Sequence, residues 1–285
     1  MRFFNKKQKL SQKKEKLVII KNRLYKYLKL KNNNLILGQF PKLKKSQIKI
    51  HGNGNILYCD GRVSLQNTNI NFLGNNSLVF LKTGKYSNLN ISVHNNSVVY
   101  IGEKNYFNPH DSESTIILSE EKNLFIGNNN AFSFGQFFRT ADPHLIYETN
   151  SHKRINPSKS IYIGDHVWIG QQCTILKGTK IHSGSIIGAC SVISNKNISS
   201  NEVWAGIPAK KVKENIFWTG KCVHAWTEKE TLENLVFPED DYIYTEDNST
   251  IPFEEIENKL TSIPTAYEKY EYLLQLTNTK NRFSK

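Results

Sequence analysis

The 285-residue sequence lacks the marks of several common protein classes. Its four cysteines, Cys59, Cys173, Cys190 and Cys222, form no CxxC pair and no metal-ligand spacing, so they read as reduced structural thiols with no metal site. No apolar run approaches the roughly 18–20 residues that a membrane span needs. The opening MRFFNKKQKL carries charge but no hydrophobic stretch, so it does not read as a secretory leader, and a cytoplasmic location is expected. Acidic residues are nearly missing from the first 49 positions, where sixteen Lys and Arg stand against Glu15 alone. The remainder holds 22 basic and 24 acidic residues, so the net charge of +13 belongs to an N-terminal arm. Such an arm suits an anionic polymer, peripheral contact with an anionic membrane surface, or plain solubility. No nucleic-acid motif accompanies it, and nucleic acid is not an expected partner.

What the chain does have is a period of six. Through Ser160–Asn197, isoleucine recurs as Ile163, Ile169, Ile175, Ile181, Ile187 and Ile193. Four residues after each comes a small or short side chain: Val167, Cys173, Thr179, Ser185, Ser191 and Asn197. Neither a helix nor a single strand has this period, whereas the hexapeptide repeat of a parallel β-helix does. Each hexad makes one short strand and one turn, three hexads close a coil, and the isoleucines stack inside the prism. A looser version precedes it. GNGNILYC, GNNSLVFL, HNNSVVYI and GNNNAFSF, starting at Gly52, Gly74, His94 and Gly127, each set an Asn-rich corner before apolar residues. The longer last step predicts a protruding loop over 108–122, and the polar, proline-containing stretch 139–159 predicts a second. Apolar residues at Leu17, Ile20, Leu24 and Leu28 predict a basic amphipathic helix over 9–31, able to cap the first coil or lie on a membrane. The acidic tail predicts helices over 228–235 and 253–276, the second broken at Pro264. The expected organisation is an N-terminal arm over 1–46, a β-helix over 47–212 and a partly helical appendage over 213–285.

IGDHVWIG at 163–170 and AGIPAKKV at 205–212 resemble the left-handed β-helix acyltransferases that use acetyl-CoA. FSFGQFFRTADPHLIYE at 132–148 and INPSKSIYIGDHVWIG at 155–170 are similar to the capsular polysaccharide O-acetyltransferases, including those acting on polysialic acid. The resemblance spans roughly 126–212 and implies a homotrimer with sites between neighbours. It implies acetyl-CoA as co-substrate, with no tightly bound cofactor, and an acidic oligo- or polysaccharide acceptor.

Acetyl transfer to a hydroxyl needs a base, donors for the oxyanion and two substrates held together. The residues alone leave the base open among His144, His152 and the exterior hexad positions His166 and His182, which could face solvent. The resemblance puts His144 at the catalytic position, with Asp142 or Glu148 able to orient its ring. It also implies that Trp168 shapes the pocket at the acetyl end of CoA. Gly188, Ala189 and Ser191 would border the pantetheine arm, with Pro208, Lys210 and Lys211 near the adenine and phosphates. Arg139 and Lys159 bracket the His144 loop, and either could meet a sugar carboxylate or simply hold the loop. A γ-type carbonic anhydrase is excluded because Gln171 stands where its second histidine would be. An antibiotic acetyltransferase of the same fold, or a non-catalytic polysaccharide-binding solenoid, remain as alternatives.

Overall fold

The computed structural model describes residues 18–20, 23–25, 28–110 and 112–285, with side chains from Leu30 onward. From Leu35 the chain winds as a left-handed parallel β-helix with three faces. The first face stacks Leu35–Gly38, Ile56–Cys59, Leu78–Leu81, Val98–Ile101, Leu124–Ile126, Ile161–Ile163, Lys180–Ile181 and Asn197–Ile198 in parallel register. The second stacks Gln47–Ile50, Asn69–Phe72, Leu89–Val93, Ser114–Leu118, Phe137–Arg139, Thr174–Leu176 and Val192–Ile193. The third runs from Lys42–Lys44, Val63–Gln66 and Gly84–Ser87 to Tyr106–Phe107, Ala131–Phe132, Trp168–Ile169 and Ile186–Ile187. It ends in the hairpin of Val203–Gly206 with Ala209–Lys213.

The six expected isoleucines are fully buried along the prism axis. The small residues four places on turn into the corners, where Ser185 donates to the Ser199 carbonyl at 2.7 Å and Ser191 to that of Gly188 at 2.6 Å. Asn197 departs from this pattern: it is exposed, and a five-residue step brings Ile198 into the column instead. Corners before third-face strands use left-handed backbone at Lys104, Asn129 and His166, with φ of 57°, 59° and 54°.

The tail forms helices α1 (Glu228–Glu233), α2 (Phe253–Ser262) and α3 (Ala266–Leu274), with the interruption at Pro264 as expected. α2 and α3 lie on the outer side of the first face. There Tyr58, Phe80, Tyr100, Phe125 and Tyr162 form a ladder of aromatic side chains, buried with Phe253, Ile256, Leu260, Leu273 and Phe283. Full burial stabilises by roughly 1.5–3 kcal/mol per large apolar side chain, so this outer layer is a second core. Asn76 donates to the Pro264 carbonyl at 2.6 Å and accepts from Ala266 N at 2.7 Å, fixing the start of α3 on an early coil. At the other end, Arg282 makes a buried bidentate pair with Asp165, at 2.7 Å for each bond.

Three expectations need correction. The described part of 9–31 forms short strands, Val18–Ile20 antiparallel to Arg23–Tyr25 and then Leu28–Lys29 against Leu35–Ile36. Val-Ile-Ile favours extended backbone, and this outweighs the helical spacing there; positions 9–17 lie outside the described residues. The β-helix starts at Leu35 rather than 47, since Leu35–Gly38 pairs in register with Ile56–Cys59. The loop expected over 108–122 is shorter, because Ser114–Leu118 pairs with both Leu89–Val93 and Phe137–Arg139 on the second face.

Candidate active site

The loop carrying His144 leaves the second face after Arg139 and returns to the first face at Ile161. Its base is closed by Lys159 N donating to the Thr140 carbonyl at 3.1 Å. Asn156, buried at 6% exposure, organises the interior. Its amide nitrogen donates to the His144 carbonyl at 2.8 Å and to Asp142 Oδ2 at 3.0 Å, while its oxygen accepts from Ile146 N at 2.9 Å. Lys177 pairs with Asp142 at 2.6 Å. Arg154 forks onto Glu120 at 2.6 and 2.8 Å, and this hydrogen bonding holds the Glu120 carboxyl down to about 2. The loop is therefore fastened to the coils beneath it, and the His144 side chain is exposed on top.

The carboxylates considered as partners for His144 are committed elsewhere. Asp142 faces Lys177 and Asn156, whose hydrogen bonds lower its pKa, and Glu148 accepts from Ser151 N at 3.1 Å. His152 is exposed on the same loop. His166 and His182 do not face solvent: both are buried beneath the C-terminal segment, and burial lowers the pKa of each. Arg139 is half-buried at the end of its strand, and Lys159 donates to Asn195 at 2.8 Å.

Trp168 lies on the third face, 42% exposed, with Ala131 and Ile186 as its rung neighbours. His144 and Trp168 thus belong to different sides of one prism. Gly188 and Ala189 follow on the next third-face corner, where a Cβ on Gly188 would come within 2.8 Å of Ala205 Cβ. The glycine serves close stacking of coils. Ser191 is buried and spends its hydroxyl on Gly188 O and Gly206 N. Pro208 follows a cis peptide bond in the exposed hairpin turn. Lys211 pairs with Glu214 at 2.5 Å and Glu202 at 3.3 Å, while Lys210 is exposed.

The reading from sequence missed the residues that surround these. Asn156 carried one signal, the Asn-Pro turn at 156–157, but nothing tied it to His144. Trp218 carried none. Its ring stacks on His166 at 4.1 Å and 6°, with Tyr242 on the other side at 4.6 Å and 14°. Trp218 Nε1 donates to the His166 carbonyl at 3.0 Å, and His166 Nε2 lies 2.9 Å from the Trp218 carbonyl. The indole stands 6.0 Å from that of Trp168.

Hexad coils interrupted by a fastened loop form a hexapeptide-repeat β-helix, and residues 160–195 match the bacterial transferase hexapeptide (six repeats) family. A polysialic acid O-acetyltransferase of Neisseria meningitidis is 31% identical over 195 residues, covering 68% of this chain and 89% of the relative. Among solved structures, the polysialic acid O-acetyltransferase OatWY aligns at 30% identity and TM-score 0.55, over 68% of this chain and 97% of its own. The polySia-specific acetyltransferase NeuO aligns at 28% identity and TM-score 0.56, over 68% and 90%. The chain belongs to the hexapeptide-repeat O-acetyltransferase family that includes these proteins.

Proposed function

We propose that this acetyltransferase moves an acetyl group from acetyl-CoA to a hydroxyl of an acidic capsular polysaccharide, sialic-acid-containing ones included, with His144 as general base. The observation that carries the reading is the exposed His144 side chain on a loop whose backbone Asn156 holds, within a chain that matches a polysialic acid O-acetyltransferase over most of its length. An imidazole nitrogen takes the acceptor's hydroxyl proton as its oxygen bonds to the acetyl carbonyl carbon. Collapse of the tetrahedral intermediate breaks the carbon–sulfur bond, and the imidazolium returns the proton to the departing thiolate. Trp168 shapes the acetyl end of the donor site. Gly188, Ala189, Ser191, Pro208, Lys210 and Lys211 border the rest of CoA along the later coils, and Arg139 and Lys159 meet acceptor carboxylates.

His144 and Trp168 stand on different sides of one prism, so in this reading a neighbouring copy in a homotrimer completes each site. Thiol release from acetyl-CoA, measured with acidic capsular oligosaccharides and with chloramphenicol as acceptors, tests the function. Transfer to the oligosaccharides is expected, and His144→Ala should lower it by about 10²–10⁴-fold without loss of fold. Transfer to chloramphenicol alone, or a variant retaining more than about a tenth of the rate, would overturn the reading.

A further inference from the structure

Upstream of Trp168, the third face carries a cleft of about 560 Å³ that the residues assigned to donor and base do not account for. Its floor follows the strand register, in which Tyr106 stacks on Ala131 and Ala131 on Trp168. Tyr106 is 58% exposed and Trp168 42%. The Ala131 methyl beside the exposed Tyr106 ring leaves a notch on the cleft floor, and Trp168 lies on the rung after it. The facing wall is Trp218, Tyr242 and Tyr244 of the C-terminal segment. This wall is held in place before any ligand arrives, because His166 is sandwiched between Trp218 and Tyr242 and tied to Trp218 by two hydrogen bonds. At its rim, Lys104 supplies a cation, Asp241 a carboxylate and Asn129 an amide.

That combination selects a chemical class. Aromatic faces take the apolar face of a ring, and the polar rim exchanges hydrogen bonds with groups around the ring's edge. A pyranose has both, and the volume lies within the range of preformed small-molecule sites. Position along the axis decides which substrate enters. The donor positions Gly188, Ala189, Pro208, Lys210 and Lys211 lie on coils after Trp168, while the cleft lies on coils before it. We propose that this cleft is a subsite for a sugar ring of the acceptor chain, with Tyr106, Ala131 and Trp218 as its specificity-determining residues. The proposal rests on the acetyl-transfer reading and extends it: the C-terminal segment builds half of the acceptor site.

Two variants test it from opposite directions. Tyr106→Ala removes an exposed stacking surface, and Ala131→Leu fills the notch without reaching the prism interior. Binding of a four-unit sialic acid oligomer, and of a four-unit glucose oligomer as a neutral probe, is read by ligand-detected NMR titration. Calorimetry reads CoA, and acetyl transfer by the wild type is followed by mass in the same preparations. At least one oligomer is expected to bind the wild type, about tenfold more weakly to Tyr106→Ala, the order expected for a lost aromatic contact, and not measurably to Ala131→Leu. The CoA dissociation constant should stay within about twofold, a difference below the 1.4 kcal/mol that tenfold represents. The proposal is overturned if the wild type binds neither oligomer at millimolar concentration, if the folded variants bind as the wild type does, or if CoA affinity falls in their place. Absence of acetyl transfer to every acceptor would overturn the functional reading. Transfer with undisturbed oligomer binding would remove only the subsite.

Discussion

At the scale of single residues, the loop shows how much one amide can organise. Asn156 ties the His144 carbonyl, Asp142 and Ile146 N together from a buried position. Asn156→Ala removes these three bonds and a fourth from Arg154 Nε at 3.3 Å, and leaves polar groups on the loop without partners, at roughly 1–3 kcal/mol for each buried group left unpaired. With His144 as the proposed base, a fall in kcat of about tenfold or more is expected, with the KM for acetyl-CoA unchanged, because a base misplaced by even a small distance loses rate. Steady-state kinetics with the donor varied checks it, and Asn156→Asp, which keeps the oxygen that accepts from Ile146 N, should recover part of the loss. The proposal of His144 as base came from the motif around it. Asn156 was not legible in the sequence, because Asn before Pro reads first as a turn residue. The carboxylates near His144 in sequence proved misleading, since Asp142 turns to Lys177, which lies 35 residues on.

At the scale of elements, the C-terminal segment is the part whose role was least legible. Its helices were predictable from their own periodicity, but their resting place was written in other strands. Second-face strands such as Leu89–Val93 alternate buried and half-buried residues, as one-sided burial requires. First-face strands such as Leu78–Leu81 and Val98–Ile101 are apolar throughout and buried on both sides. That unbroken run is the signature of a covered sheet, and it names the docking face of α2 and α3. The N-terminal helix failed for a related reason, since helical spacing alone does not outweigh β-branched residues that find a strand partner.

Protonation should loosen this segment. His166 lies between Trp218 and Tyr242 beside Asp165, and His182 contacts the Phe283 carbonyl, with Lys285 and Glu254 nearby. Burial lowers both pKa values from the ordinary 6.5. With the segment detached, the two prism histidines therefore bind protons more readily than when it covers them, and docking free energy is lost as pH falls beneath 6.5 toward the lowered values. Tryptophan emission during urea titration should show a lower midpoint at about pH 5 than at about pH 7.5, and equal midpoints would contradict the linkage. Arg282→Ala, which strands Asp165 in a buried site, should cost about 3–5 kcal/mol by the same titration.

At the scale of the whole molecule, the proposed shared site makes assembly a measurable requirement. Sedimentation at micromolar concentration should give a trimer, and mixing His144→Ala with Trp168→Ala protomers should restore activity if each site draws one residue from each neighbour. A monomer with full activity would contradict this. The braced first face has a further bearing on how the molecule comes apart. In a bare solenoid each coil touches only its neighbours, so coils can fray one after another from an open end. Here one appendage grips Asn76 and Asn96 near the beginning and Asp165, Ser183 and Ser200 near the end. It acts as a splint, since no coil in the span can leave without breaking contacts that serve the others. Pulled or heated, such a prism should yield in one step and not unwind turn by turn, and cutting the chain after residue 213 should turn that single transition into a gradual one.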